Sequence, residues 1–322
     1  MLTGYRSHAH CLLVAIDGRQ YFSQQKIHFD NFCCNWWLNY FHSVLTPVIV
    51  QLGNDCVFSL EPEYITPKDG KERQDCEIEA GKRWLLTHGE YYAGYHATIL
   101  GDDLYSRQPF CQAAKDAKMH FILVCKEDSH PQLYETVAFL DAQGLLGKYQ
   151  KRHWNGKYGE IYTYRYANQL PLRGGSDTML VNWVELTITH EETGEVIYKN
   201  AFVTDFEVLE TTVEAIARDG RARWKIENEN NNILKTKGYH LEHNFGHGAQ
   251  FLSSLLLSLN LLAFLFHTVM GLVDEKYRLL RQALRKRRKF FQHVETLLEY
   301  LLFDSWDALF SFMCRGLELD IG

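Results

Sequence analysis

Three acidic residues stand where strand ends and a helix face can bring them together. Asp17 closes the apolar run CLLVAID, Asp102 closes a second one in LGDDLY, and Glu227 lies in the helical stretch RARWKIENENNNILK. Acids at the ends of adjacent strands can converge, and hard carboxylate oxygens of this kind suit Mg2+ or Mn2+. The helical stretch offers two candidates for a third ligand. At about 100° per residue, Glu227 shares a face with Arg223 at i, i+4, whereas Glu229 points about 200° away. Glu227 is therefore the expected ligand and Glu229 an exposed helix acid. Taken singly, Asp17 or Asp102 also reads as a turn residue or helix cap, and Asp103 as a solvated neighbour.

The elements that must position these acids follow from the hydrophobic pattern. The first 126 residues alternate strands and helices: CLLVAID, SVLTPVIVQLG and CVFSLEPEYI read as strands one to three, HATILGDDLY and HFILVCK as later ones. QDCEIEAGKRWLLTH (Gln74 to His88) spaces Cys76, Ala80, Trp84 and Leu85 on a helical period, and QPFCQAAKDAK is a second helix. Strands followed by strand–helix–strand crossovers imply an α/β core, a mixed sheet with helices packed on it. Lys148 to Lys199 is rich in Tyr, Trp, Thr and Val with turn signals at Asn155-Gly156, Gly174-Gly175 and Glu192-Thr193-Gly194, so it reads as hairpins. From Val208 the chain reads as helical to its end. One segment, Val208 to Ala217, stops near Gly220; a second runs from Arg221 to about Thr236 and is closed by Gly238. The last two are Gln250 to Val273 and Asp274 to Phe303.

Composition limits the function classes. The chain has 322 residues, 46% of them apolar, enough for a packed core of about two domains. Lys and Arg total 34 against 40 Asp and Glu, a net charge of −6 that excludes a histone-like polycation. The charge is unevenly spread: Asp274 to His293 carries eight Lys/Arg against two acids, +6, leaving −12 elsewhere. That run includes Arg285, Lys286, Arg287 and Arg288 beside an apolar stripe, and reads as a solvated amphipathic face, a DNA-backbone contact or a membrane-surface helix. Eight cysteines, two of them adjacent, are too few for a disulfide scaffold and point to a reducing compartment. The apolar run Leu12 to Ile16 is too short for a secretory signal. Gln250 to Val273 is uncharged and long enough to span a bilayer. Ser253, Ser254, Ser258, Asn260 and His267 within it, and the basic helix after it, favour a fully buried or bundle-core helix instead. A zinc reading of His28, Cys33, Cys34 and His42 lacks ligand-pair spacing, so packed or exposed cysteines are expected; the glycines around His240, His243 and His247, and their place after the Glu227 helix, point to a supporting loop.

AIDGRQYFSQQKIH, LGDDLY as a D-x-x-Y box, RWKIE as an R-x-x-x-E box, and KRWL, LVCKEDSH and YHLEHNFGHG together resemble the DDE transposases of the insertion-sequence type, in the group with a Tyr-Arg-Glu-Lys signature. The resemblance implies an RNase H-like catalytic domain with a β-rich insertion between the second Asp and the Glu. It implies a core split between residues 1–147 and 207–248, the insertion at 148–206 and a C-terminal helical region at 249–322. It further implies that Asp17, Asp102 and Glu227 are the catalytic triad holding two Mg2+ or Mn2+ ions for in-line displacement. Arg223 matches the signature Arg, a phosphate fork, and Tyr105 the structural aromatic of the D-x-x-Y box. The signature Tyr position holds Gly220. The signature Lys position holds Leu234 with Lys235 next, rotated about 80° from the Glu227 face. Implied partners are double-stranded DNA, at element ends and target, and a second copy of the chain on DNA, with no membrane. The implied setting is the cytoplasm of a prokaryote, associated with the nucleoid. The nearness of Asp17 to Met1 suggests a form shortened at its N-terminus. Alternatives are a catalytically impaired DNA-binding remnant and an integral membrane protein built around Gln250 to Val273.

Overall fold

The computed structural model describes residues 5–7, 10–24, 33–34, 40–66, 73–243 and 251–320. The N-terminal part carries β1 (Leu12–Ala15), β2 (Gly18–Gln24), β3 (Cys33–Cys34), β4 (Tyr40–Leu45), β5 (Val48–Gln51), β6 (Asn54–Ser59) and β7 (Glu63–Ile65). Then come α1 (Arg73–Ala93), β8 (Ala97–Gly101), α2 (Gln108–Asp116), β9 (His120–Val124) and α3 (Pro131–Ala142). Two long hairpin arms follow, β10 (Gly147–Trp154), β11 (Gly159–Pro171), β12 (Leu180–His190) and β13 (Val196–Thr204). The rest is helical: α4 (Val213–Arg221), a π-helical turn (Ile226–Asn231), α5 (Asn232–Thr236), α6 (Leu252–Val273), α7 (Glu275–Ala283), α8 (Arg287–Tyr300) and α9 (Trp306–Gly316).

Nine strands form one mixed sheet in the order β10-β11-β12-β13-β9-β8-β1-β5-β6. β1, β8 and β9 run parallel, joined by helical crossovers, and the remaining neighbours are antiparallel. Central strands covered on both faces need apolar residues on both, which is why β1 is buried along its whole length. Leu12 and Val14 pack into a core with Trp84, Phe110 and Leu133 from α1, α2 and α3. Leu13 and Ala15 face the opposite core with Ile216, Ile226, Leu234 and Phe264 from α4, the π turn, α5 and α6. The C-terminal helices α7, α8 and α9 close over a cluster of their own around Tyr277, Phe290 and Phe310. The mixed α/β sheet, its flanking helices and the C-terminal helical region are thus all present.

Several elements depart from the sequence pattern. SVLTPVIVQLG is two strands, because Pro47 has no N–H to give a ladder. β4 turns into a small sheet, order β2-β4-β3 with β7 on β4, while β5 pairs with β1. CVFSLEPEYI divides in the same way, into β6 on the large sheet and β7 on the small one. The hairpin arms join the main sheet through β13 on β9, with Val203 opposite Leu123. α4 ends at Arg221, near Gly220 as expected, but begins only at Val213. A Cβ at Gly220 meets the Phe202 ring at 2.8 Å, so the glycine allows the helix to lie close on the sheet. The basic segment is not one helix: it breaks between α7 and α8, at Leu284 to Lys286.

The uncharged segment is not fully buried. α6 is 22 residues long with a mean hydropathy of 2.0, enough by length and composition to cross a bilayer. It buries one stripe, Ser253, Leu257, Leu261, Phe264 and Thr268. Leu255, Leu259 and Leu262 lie on the other side, each at least half exposed. Its polar residues bind the rest of the protein: Tyr64 Oη lies 2.7 Å from Ser258 Oγ, and Tyr239 Oη 2.8 Å from His267 Nδ1. Burial drives the His267 imidazole down to about 4, so it stays neutral in that contact.

Candidate active site

Strand register brings the first two acids together. β1 and β8 pair in parallel with Ala15 opposite Leu100, and Ile16 N–H donates to the Leu100 carbonyl at 2.9 Å. Two residues further on, past the strand ends, stand Asp17 and Asp102, near enough for the Asp102 charge to act on Asp17. Asp17 stands where the chain leaves the large sheet for the small one, and its carbonyl accepts from Thr46 N–H at 3.1 Å. Asp102 folds into a tight turn in which its Oδ1 accepts from Leu104 N–H at 2.9 Å. Gly101 permits the turn to close on the core, since a Cβ there meets the Tyr105 ring at 2.9 Å.

The third acid arrives on the π-helical turn. Arg223 Nη2 pairs with Glu227 Oε1 at 3.0 Å, the i, i+4 relation expected from the sequence. Glu229 is not the exposed helix acid expected: its side chain is 21% accessible and points elsewhere, 3.9 Å from the buried Lys225, which is held at 2.5 Å by Asp55. The helix is tied to the strand end by Asn231, whose Nδ2 donates to Asp17 Oδ2 at 3.0 Å. Glu77 of α1 closes the other side, accepting from Gly18 N–H at 3.1 Å and from the Tyr105 hydroxyl at 2.7 Å. Tyr105 is fully buried, and burial and then the Glu77 charge hold its phenol well above the usual range.

The electrostatics report how closely the acids gather. Burial, and then the Glu77, Asp102 and Glu227 carboxylates, push Asp17 from 3.8 up to about 7, with Arg223 opposing. Asp102 is raised too, chiefly by burial, with the Leu104 amide and Arg223 opposing. Among the described residues, however, no three His, Cys, Asp or Glu side chains are gathered tightly enough to enclose an ion. Arg223 holds the Glu227 carboxylate, and Glu227 stays about half exposed.

Asp103 is not a solvated neighbour. Its carboxylate accepts from Lys126 N–H at 2.6 Å and from the Ser129 hydroxyl, which pins the turn after β9 to the turn after β8. Of the remaining expected residues, Lys235 pairs with Glu242 at 2.8 Å, and Glu242 also reaches Arg19 at 3.4 Å. The adjacent Leu234 is fully buried, so a lysine in that place would have to enter the core. Arg285, Lys286, Arg287 and Arg288 line a groove of about 720 Å³ together with Trp224, Asn228 and Asn232. That stripe is one position round the helix from Arg223, Glu227 and Asn231. Arg287 is partly committed, its Nη1 lying 3.5 Å from Tyr239 Oη. His28, the Cys33 and Cys34 side chains and His247 lie outside the described residues; His240 and His243 are exposed.

Sequence reasoning missed Glu77 and Asn231. Glu77 heads the buried stripe of α1 formed by Ala80, Gly81 and Trp84, and an acid on such a stripe was the available signal. Asn231 follows Glu227 at i+4, inside a run of asparagines that resembles a surface loop in composition.

No protein-family model and no curated protein matches the chain. Among solved structures, the cryo-EM structure of the piggyBac transposase synaptic complex with hairpin DNA is similar, with a TM-score of 0.47 and 10% sequence identity over 96% of this chain. The match covers 55% of that chain, so the protein spans about half the length of its structural neighbour.

Proposed function

We propose that the chain is a DDE-type transposase of the insertion-sequence kind, catalysing metal-dependent DNA strand cleavage and strand transfer at element ends. The carrying observation is the setting of Asp17 beside Asp102 on adjacent parallel strands, with the Arg223–Glu227 helix tied to Asp17 through Asn231. The donor chemistry fits a divalent ion. All three side chains offer hard oxygens, and the raised Asp17 reports negative charge crowded into a poorly solvated place, which cations relieve.

In this reading Asp17, Asp102 and Glu227 hold two Mg2+ or Mn2+ ions, which when bound activate the attacking water or 3′-hydroxyl and stabilise the leaving 3′-oxygen. Glu227 must exchange its arginine partner to join the site. Arg223 is then free to fork a DNA phosphate. Tyr105 and Glu77 brace the strand ends, keeping Asp17 in place. The Arg285–Arg288 groove tracks the backbone of double-stranded DNA, which needs clustered cations but no base reading; Lys235, paired with Glu242 in the DNA-free chain, is a separate phosphate contact. A homodimer assembled on element ends and target DNA, in a prokaryotic cytoplasm, completes the proposal.

The test is a nicking and strand-transfer assay on duplexes carrying the flanking inverted repeats, with Mg2+ or Mn2+. Cleavage should require the metal and vanish in Asp102→Asn; equal activity in wild type and variant would overturn the site. A second reading, a remnant that binds DNA without cutting it, is favoured by the Arg223–Glu227 pair that holds the third carboxylate aside. Binding without metal-dependent products in the same assay would select it.

A further inference from the structure

We propose that Asn231 is a positioning residue for Asp17, held in one orientation by a buried relay through Asn230 to Ser59. The inference rests on the metal-dependent reading of the site and names what aims its first carboxylate. Ser59 Oγ donates to Asn230 Oδ1 at 2.9 Å, Asn230 Nδ2 donates to Asn231 Oδ1 at 3.0 Å, and Asn231 Nδ2 donates to Asp17 Oδ2 at 3.0 Å. The two asparagines and Ser59 are at most 5% exposed, so water does not compete for these bonds.

The relay has a direction. Ionised, as it must be to hold a cation, Asp17 only accepts, so the group facing it is then an amide nitrogen. That choice turns Asn231 Oδ1 toward Asn230, which must answer with its own nitrogen, leaving Asn230 Oδ1 for the one remaining donor, the Ser59 hydroxyl. Flipping either amide sets nitrogen against nitrogen or oxygen against oxygen. A buried group left unpaired costs about 1–3 kcal/mol, so the Asn231–Asp17 and Asn230–Asn231 links discriminate against the flipped states, while the Ser59 hydroxyl, able to donate or accept, secures Asn230 in place. One Asp17 oxygen is thereby fixed, and the carboxylate plane with it, while the other oxygen remains available to a cation.

The π-helical turn makes the relay possible. In an α-helix consecutive side chains diverge by about 100°, and two successive residues seldom both face the core. The wider i→i+5 turn over Ile226–Asn231 buries Asn230 and Asn231 together, one toward β6 and the other toward the end of β1. Partners that orient metal-binding side chains typically change metal affinity by about 10–100-fold when removed.

The experiment measures Mn2+ binding to the DNA-free full chain by electron paramagnetic resonance of the free ion, alongside thermal melting in EDTA. Asn231→Ala should weaken Mn2+ by about 10-fold or more. Ser59→Ala, at the far end and without touching Asp17, should weaken it in the same direction by a smaller factor. Asp17→Asn is the reference for loss of the site. Melting shifts in both variants with Mn2+ affinity unchanged would make the relay merely structural and overturn the proposal. If Asn231→Ala does not fold, unchanged affinity in Ser59→Ala overturns it alone. Wild type binding no more Mn2+ than Asp17→Asn removes the metal site itself, a different result from a site that binds but ignores Asn231.

Discussion

Replacing Asp17 by Asn should stabilise the metal-free protein at neutral and alkaline pH, and the size follows from the site. Folded Asp17 keeps its proton to about pH 7, whereas in the unfolded chain it releases it near 3.8. Between those values the folded state binds the extra proton, so wild-type stability falls as pH rises, by up to about 1.4 kcal/mol per pH unit. The contribution is intact below pH 3.8 and lost above about 7, a difference of about 4 kcal/mol as an upper figure, since side-chain relaxation and water entry reduce it. Asparagine has no charge to bury and still offers an oxygen to Asn231 Nδ2. Urea unfolding in EDTA at low salt, from about pH 4.5 to 8, should therefore give two diverging curves, with the variant gaining on wild type as pH rises. Saturating Mn2+ at pH 8 should restore wild type by about 2.7 kcal/mol at 100 times its dissociation constant and leave the variant unmoved. Parallel curves, or a variant losing ground with rising pH, would refute the crowding of charge at Asp17.

Three further outcomes are expected. Glu227→Gln should lower metal-dependent cleavage by more than the 10–100-fold typical of outer-shell partners, while Glu229→Gln stays near wild type in the same gel assay. Gly220→Ala should destabilise by about 1–3 kcal/mol in thermal melts, because its Cβ would stand 2.8 Å from the Phe202 ring, outweighing the helix propensity gained. Charge reversal at Arg285, Lys286 and Arg288 should weaken duplex binding and flatten its salt dependence, by about 0.9 in log–log slope for each phosphate that is no longer neutralised, read by fluorescence anisotropy.

Much of the core was legible because its strands are short apolar runs that end in acids. CLLVAID and LGDDLY carry both the burial pattern and the candidate acids, and the parallel pairing of β1 with β8 sets their strand ends side by side. The choice of Glu227 over Glu229 follows from the i, i+4 relation to Arg223, a pair that forms even though the helix widens from Ile226 onward. What the sequence conceals depends on tertiary packing. Nothing local says that β4 and β5 leave Pro47 for different sheets, or that the asparagine run turns inward. α6 carries a continuous apolar composition, yet only a surface of limited size waits for it, so half of its leucines remain outside. The break in the basic helix accompanies the packing of α9 against α7, segments with no sequence signal in common.

The hairpin arms joined to β9 bear on what the chain can lose. β9 is an apolar strand, and its outer edge is capped by Phe202, Val203 and Thr204 of β13, opposite Val124, Leu123 and Ile122. Excising the arms would bare a row of unpaired backbone groups on a hydrophobic strand, a ready template for aggregation. The arms are thus part of the sheet's own protection and are not removable as a module. Changes of length are accommodated only at their tips, around Gly156 and Gly194, whose positive backbone angles mark the turns.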